Sequence, residues 1–338
     1  MPTVRDIARI AGVSAMTVSN VLNGRGRVSE ATRERVERIA EEEGYLTSSN
    51  ARSSYGRAIR TVGIITPDIS NEYFASIVLE IESAMQEQEY SSFICNTRYN
   101  PERNRASVEK LRRRGVDGLF FVGGDLPHDV KLLGNLPCSL IDFYSDRRPK
   151  RFFLSRSDVT ELCWDQIRVL ERRGCRRIAC ITPNFNASAP TIPAESDQAD
   201  VLETRCAEHG IEFLRRNLSP LPPYQEQGDI SAEFSNEILS LIPMCDGFAV
   251  MGDRMAMAVC DVLRENGVQP GRDAKVIGMD DALYSRLYRP SISTVSRNTD
   301  MMARAGAGAM TAMLRGRDPE NREISIPHRV IERETTLG

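Results

Sequence analysis

Apolar positions recur at helical spacing three times within the first 45 residues: Ile7, Ile10 and Ala11, then Val18, Val21 and Leu22, then Val36, Ile39 and Ala40. Each group is bounded by cap and stop signals. Thr3, with Asp6 three residues on, and Ser14 are predicted N-caps, and the third helix opens at Ser29-Glu30. Gly12-Val13, Asn23-Gly24 and Gly44 are the stops. Only a tight glycine-containing turn separates the first two helices, which is the helix-turn-helix arrangement. Residues 46–60 are rich in Ser, Asn, Gly and Arg and read as a linker, or as a segment that folds on binding.

Beyond Thr61 the pattern changes. Short apolar runs at 62–65, 93–95, 118–122, 178–181, 247–250 and 276–278 read as strands, and amphipathic stretches at 73–88 and 101–114 as helices. Repeated strand–helix units imply parallel sheets covered on both faces, with ligands held at the carboxyl ends of the strands. The predicted fold is a small all-α helix-turn-helix head (1–46), a hinge (47–60) and an α/β core of two Rossmann-like lobes (61–338). The lobes are drawn at 61–157 with 291–320, and 158–290 with 321–338.

Composition narrows the function. The chain of 338 residues has no apolar stretch of membrane-spanning length, and its N-terminus lacks the apolar segment of a signal peptide, so a cytoplasmic protein is expected. Eight scattered cysteines form no Cys-x-x-Cys pair and only three histidines accompany them, which predicts reduced thiols, no metal site and no cofactor. The net charge of −3 conceals an asymmetry: residues 1–60 hold ten Arg against seven acidic residues, for +3, and the rest carries −6. A basic head on an acidic body suits a protein of which one part meets phosphate.

The segments 4–14 (VRDIARIAGVS), 17–24 (TVSNVLNG), 28–36 (VSEATRERV) and Gly44-Tyr45 resemble the opening of the LacI/GalR family of bacterial regulators. Segments 67–71 (PDISN), 114–118 (RGVDG) and 276–281 (VIGMDD) continue the resemblance through the core, in the family's order and spacing. The resemblance implies a DNA-binding head, a hinge helix and a core like that of periplasmic sugar-binding proteins. It also implies a homodimer on palindromic double-stranded operator DNA, modulated by a small ligand, possibly a sugar, held in the cleft.

The resemblance and the helix-turn-helix geometry together assign DNA contacts. Ala15, Met16 and Asn20 lie on the face of the second helix that reaches base edges; Asn20 can pair with adenine, and Ala15 and Met16 with a thymine methyl. Thr3, Ser14, Thr17, Ser19 and Arg27 are assigned to phosphates or caps. The family often has Arg where Asn20 stands. In the hinge, Ala51 and Arg52 fit the family pattern, and Arg57 suits phosphate. Ser54 replaces the Leu that wedges into the minor groove, with Tyr55 beside it as a substitute wedge.

For the effector, the resemblance assigns Asn71, Tyr73, Phe74 and Asp280, with Asp158 or Glu161 as a further acid near the lobe crossover. Gln198 stands where many members have Arg, and Gly252 where sugar binders have Asn. An aromatic pair on a helix serves equally well as core, so Tyr73 and Phe74 have two readings. With Gln198 in place of a cation, a neutral ligand is expected; Arg254 and Arg286 are the cations that could alter this. The dimer is expected to form through the core, with Ile77, Ile81 and Met85 as a candidate face.

Two other classes share parts of this pattern. A solute-binding receptor would use the same core without the Arg-rich head. An enzyme would need a catalytic motif, and no Gly-x-Ser-x-Gly, P-loop, His-Glu-x-x-His or Gly-x-Gly-x-x-Gly is present.

Overall fold

The computed structural model describes residues 3–22, 28–42, 60–183, 195–218 and 231–338. In the head, α1 (Val4–Ala11), α2 (Ala15–Leu22) and α3 (Glu30–Glu42) close around Ile7, Ala8, Ala11, Val18, Val21, Val36, Ile39 and Ala40. Thr3 and Asp6 form a reciprocal capping box on α1, and Gly12 ends it in the left-handed conformation at φ 65°. Ser14 caps α2 by accepting the Thr17 N–H at 3.0 Å. Ile10 departs from expectation and is 46% exposed. The buried stripe of α1 is centred among Ile7, Ala8 and Ala11, and the 100° step per residue carries Ile10 past its edge.

The core contains two six-stranded sheets. The first has the order β11-β5-β4-β3-β1-β2, from β1 (Thr61–Thr66), β2 (Ser91–Asn96), β3 (Gly118–Val122), β4 (Cys138–Ile141), β5 (Phe152–Arg156) and β11 (Glu323–Ser325). The second has the order β12-β10-β9-β8-β6-β7, from β6 (Arg177–Pro183), β7 (Glu212–Leu218), β8 (Gly247–Val250), β9 (Lys275–Met279), β10 (Ser293–Ser296) and β12 (Arg329–Ile331). All of these pairings are parallel except β10 with β12.

Helices cover both faces of the first sheet. On one side α4 (Glu72–Gln86) and α11 (Thr299–Leu314) pack Ile77, Ile81 and Met85 against Met302, Ala307 and Met310. On the other, α5 (Pro101–Arg113) packs Val108 and Leu111 against Leu119 and Phe121. The second sheet is covered by α6 (Val159–Arg172) and α7 (Glu195–Glu208) on one side, and by α8 (Ala232–Leu241) and α9 (Asp253–Glu265) on the other. The short helices α10 (Leu283–Leu287) and α12 (Glu334–Leu337) complete the second lobe.

The chain crosses between lobes three times, and hydrogen bonds tie the crossings together. Ile326 N–H donates to the Arg156 carbonyl at 2.8 Å, and Ser157 Oγ donates to the Arg297 carbonyl at 3.4 Å. The crossings differ from the boundaries drawn on sequence. Residues 293–296 pair with β9 in the second lobe, not the first, and residues 323–325 pair with β5 in the first, not the second. Runs of three or four residues carry no periodicity that says which sheet will take them.

Candidate functional site

On the head, Ala15 and Met16 are exposed, Met16 by 73%. Asn20 lies one helical turn from Met16 on the same face and is half-buried, as are Thr17 and Ser19. Thr3 Oγ1 donates to Asp6 Oδ2 at 2.7 Å, and Ser14 and Thr17 share a 2.8 Å hydroxyl bond, so Thr3 and Ser14 serve as caps in the structure. Arg27 and the hinge residues Ala51, Arg52, Ser54, Tyr55 and Arg57 lie outside the described residues.

In the core, the carboxyl ends of strands from both sheets converge on Arg297, which follows β10 at the second crossing. Its Nη1 lies 2.7 Å from Asp142 Oδ2 at the end of β4, and its Nε lies 3.1 Å from Asp280 Oδ1 at the end of β9. One guanidinium therefore meets a carboxylate from each lobe. Its Cζ stands 4.5 Å from the centre of the Tyr73 ring, and Nη1 donates to Tyr73 Oη at 3.2 Å. Tyr144 Oη donates to Asp142 Oδ1 at 2.6 Å. The approach of Nε to Asp280 is an ion pair without hydrogen-bond alignment: both atoms are buried and otherwise unpartnered. Two buried polar groups where the lobes meet are thus left without a hydrogen-bond partner.

Burial pushes the Asp280 carboxyl up to about 7, against the opposing pull of Arg297 and with a further upward push from Asp142. Its backbone is unusual as well, since Asp280 and Asp281 occupy φ 111° and 60° in succession. A hydrogen-bonded clasp holds that turn. Asp281 N–H donates to Thr294 Oγ1 at 3.3 Å, Thr294 Oγ1 donates to Asp253 Oδ1 at 2.6 Å, and Ala282 N–H donates to Asp253 Oδ2 at 2.8 Å. Burial, and then the charge of Asp280, raise the Asp253 carboxyl well above its usual range.

The structure sorts the sequence-assigned effector residues. Tyr73 and Asp280 come together at Arg297, and Phe74 packs edge-on against Tyr73 with centroids 5.2 Å apart. Gly252, at φ 111°, stands beside Asp280, whose Oδ2 lies 3.9 Å from where a Cβ would project. Asn71 caps α4, accepting the Tyr73 N–H at 3.0 Å. Asp158 caps α6 and lines an adjoining groove of about 480 Å³ that shares Tyr144 with the cluster, while Glu161 pairs with Arg205 at 2.8 Å; neither acid contacts Arg297. Gln198 lies in α7, and its side chain is outside the described residues. Arg254 is exposed and Arg286 pairs with Asp281 at 2.7 Å. The buried cation is Arg297, which the sequence reading missed together with Asp142 and Tyr144. The available signal was position: a charged residue directly after a short β-branched run falls at the carboxyl edge of a sheet.

Ile77, Ile81 and Met85 are fully buried inside the first lobe and cannot form a subunit interface. The eight cysteines are free thiols, seven of them buried, and burial pushes Cys138 and Cys163 up to about 12. Among the described residues no cluster could hold a metal, and no helix is long and apolar enough to cross a membrane.

Comparison with known proteins matches residues 3–48 to the family "Bacterial regulatory proteins, lacI family" and residues 167–336 to the "Periplasmic binding protein-like domain". The chain is 26% identical over 340 residues to the HTH-type transcriptional regulator RegA of Clostridium saccharobutylicum, covering 99% of each. The lac repressor dimer bound to operator and the anti-inducer ONPF aligns with a TM-score of 0.68 at 22% identity, over 100% of this chain and 99% of that one. A complex of the transcriptional regulator CelR with cellobiose aligns at 0.66 and 22% identity, over 99% and 100%.

Proposed function

The chain belongs to the lacI family of bacterial regulatory proteins, as a DNA-binding transcriptional regulator with a periplasmic-binding-protein-like core, and we propose that it is a repressor whose operator affinity is set by a small neutral, sugar-like ligand held between its lobes. Base-edge readout is assigned to Ala15, Met16 and Asn20, and phosphate contact to the hinge arginines. The protein acts as a homodimer, which gives two heads for a palindrome.

One observation carries the ligand reading. Asp280 Oδ1 and Arg297 Nε are buried, unpartnered in hydrogen bonding and flanked by the Tyr73 ring. Carboxylates that accept hydroxyls beside an aromatic face suit a polyhydroxylated ligand, and the regulator that binds cellobiose shares the fold. Neutrality follows from charge at the cluster: its cation, Arg297, is already matched by Asp142 and Asp280, so an anionic group entering there would meet two carboxylates whose cation is taken. Because the cluster joins both lobes, a ligand that binds there changes the balance between open and closed cores, and so the spacing of the heads.

The test is calorimetry of the full chain with a panel of neutral sugars and their phosphates, paired with operator titrations. A neutral sugar should bind and shift operator affinity. Tight binding of a sugar phosphate, with no heat from the free sugar, would refute the reading.

A further inference from the structure

The first lobe has a second cavity, of about 680 Å³, which the cleft does not use. It opens at the carboxyl ends of β1 to β4 and is lined only by first-lobe residues. Its walls include the first turn of α5 and the loop after β3, so it lies over the layer that contains Val108 and Leu111. Tyr73 belongs to the opposite layer, formed by α4 and α11. None of Tyr73, Asp280 and Arg297 lines this cavity. Its volume falls within the roughly 300–1,000 Å³ of small-molecule sites.

We infer that this cavity binds a small organic amine with an apolar body. Asn104 lines the cavity and is only 7% exposed. Its Nδ2 donates to the Asp125 carbonyl, which fixes the amide's orientation and leaves Oδ1 buried with no donor. The unmet demand at this site is therefore for a donor. The charges agree. Arg147 is taken by Asp125, and Arg105 is turned to Glu109 at 2.9 Å. Glu102 and Asp146, both on the exposed rim, have no ion-pair partner among the described residues. An amine answers both features in kind: it donates hydrogen bonds, which Asn104 Oδ1 lacks, and it carries the charge that suits an acidic rim. Pro67, Pro101, Leu126, Pro127 and the Tyr99 ring supply an apolar wall for the rest of the molecule. This inference is independent of the sugar reading, because the two sites share no residue named for either ligand.

Tyramine is a suitable probe, and 4-ethylphenol is its counterpart without the amine. Calorimetry on the full chain should show tyramine binding and 4-ethylphenol binding about tenfold weaker or not at all. The double variant Glu102→Gln, Asp146→Asn changes only exposed rim groups and should weaken tyramine about tenfold. Asp280→Asn, in the cleft, should leave tyramine binding unchanged. No heat from tyramine at millimolar concentration, equal binding of the two compounds, or loss of tyramine binding in Asp280→Asn would each overturn the assignment.

Discussion

Arg297 and Asp280 face each other at 3.1 Å, the one at a lobe crossing and the other in a strained turn of the second lobe. Asp142 holds the same guanidinium from the first lobe at 2.7 Å, so the cleft contains a carboxylate–guanidinium–carboxylate bridge. Removing the central cation leaves two buried carboxyls opposed. Arg297→Met should therefore destabilise the protein by about 3–5 kcal/mol in urea unfolding. Adding Asp280→Asn to that variant should restore part of the loss. A single variant within 1 kcal/mol of wild type would mean that the bridge carries no structural weight.

The bridge should also respond to pH near neutrality. Asp280 titrates at about 7 in the folded protein and in the ordinary carboxylate range when unfolded. The folded state thus binds this proton more tightly. The group's contribution to stability is full below the unfolded value and is lost as pH rises through about 7. The stability of wild type relative to Asp280→Asn should fall between pH 4 and 7 and level off above. A difference that stays flat across that window would show that Asp280 is ionised throughout.

How much of this could be read from sequence follows from how local each determinant is. The helices of the head declare themselves through caps at Thr3 and Ser14 and through 3.6-residue spacing, both set within a few residues. Asp280 was legible because it sits in a motif after a β-branched strand. Arg297 was not: its meaning depends on β10 joining the second sheet while α11 returns to the first, which is a property of topology. With Arg297 unseen, charge reasoning turned on Gln198 and took the cleft to be without a cation. The apolar stripe Ile77–Ile81–Met85 illustrates a different limit, because a helix face that fills a core and one that meets a partner have the same spacing.

On the head, Asn20 is half-buried one helical turn from the exposed Met16, and its amide carries the paired donor and acceptor groups that adenine requires. Asn20→Ala should cost about 1–3 kcal/mol on the preferred operator and relax preference at one base pair per half-site. Selection from a random DNA pool measures this directly. An unchanged preference would move base readout elsewhere on the head.

The subunit interface can be relocated on physical grounds. Glu72 Oε1 accepts the Leu283 N–H at 2.7 Å, which sets the start of α4 in the first lobe against the start of α10 in the second. Leu79 lies seven residues along α4 from Glu72, two turns on and therefore on the same face, and it is 66% exposed. Leu283 and Leu287, one turn apart on α10, are 58% and 66% exposed. Three large apolar side chains thus mark a surface that runs across both lobes. A dimer formed there would clamp the lobes of each subunit together, so that lobe movement is transmitted to the partner and to the paired heads. Leu287→Glu places a charge in that surface without touching the buried core. It should convert the proposed dimer to a monomer in sedimentation equilibrium at micromolar concentration and weaken binding to a palindrome far more than to a half-site. A Leu287→Glu protein that stays dimeric, with full palindrome affinity, would place the interface on another face.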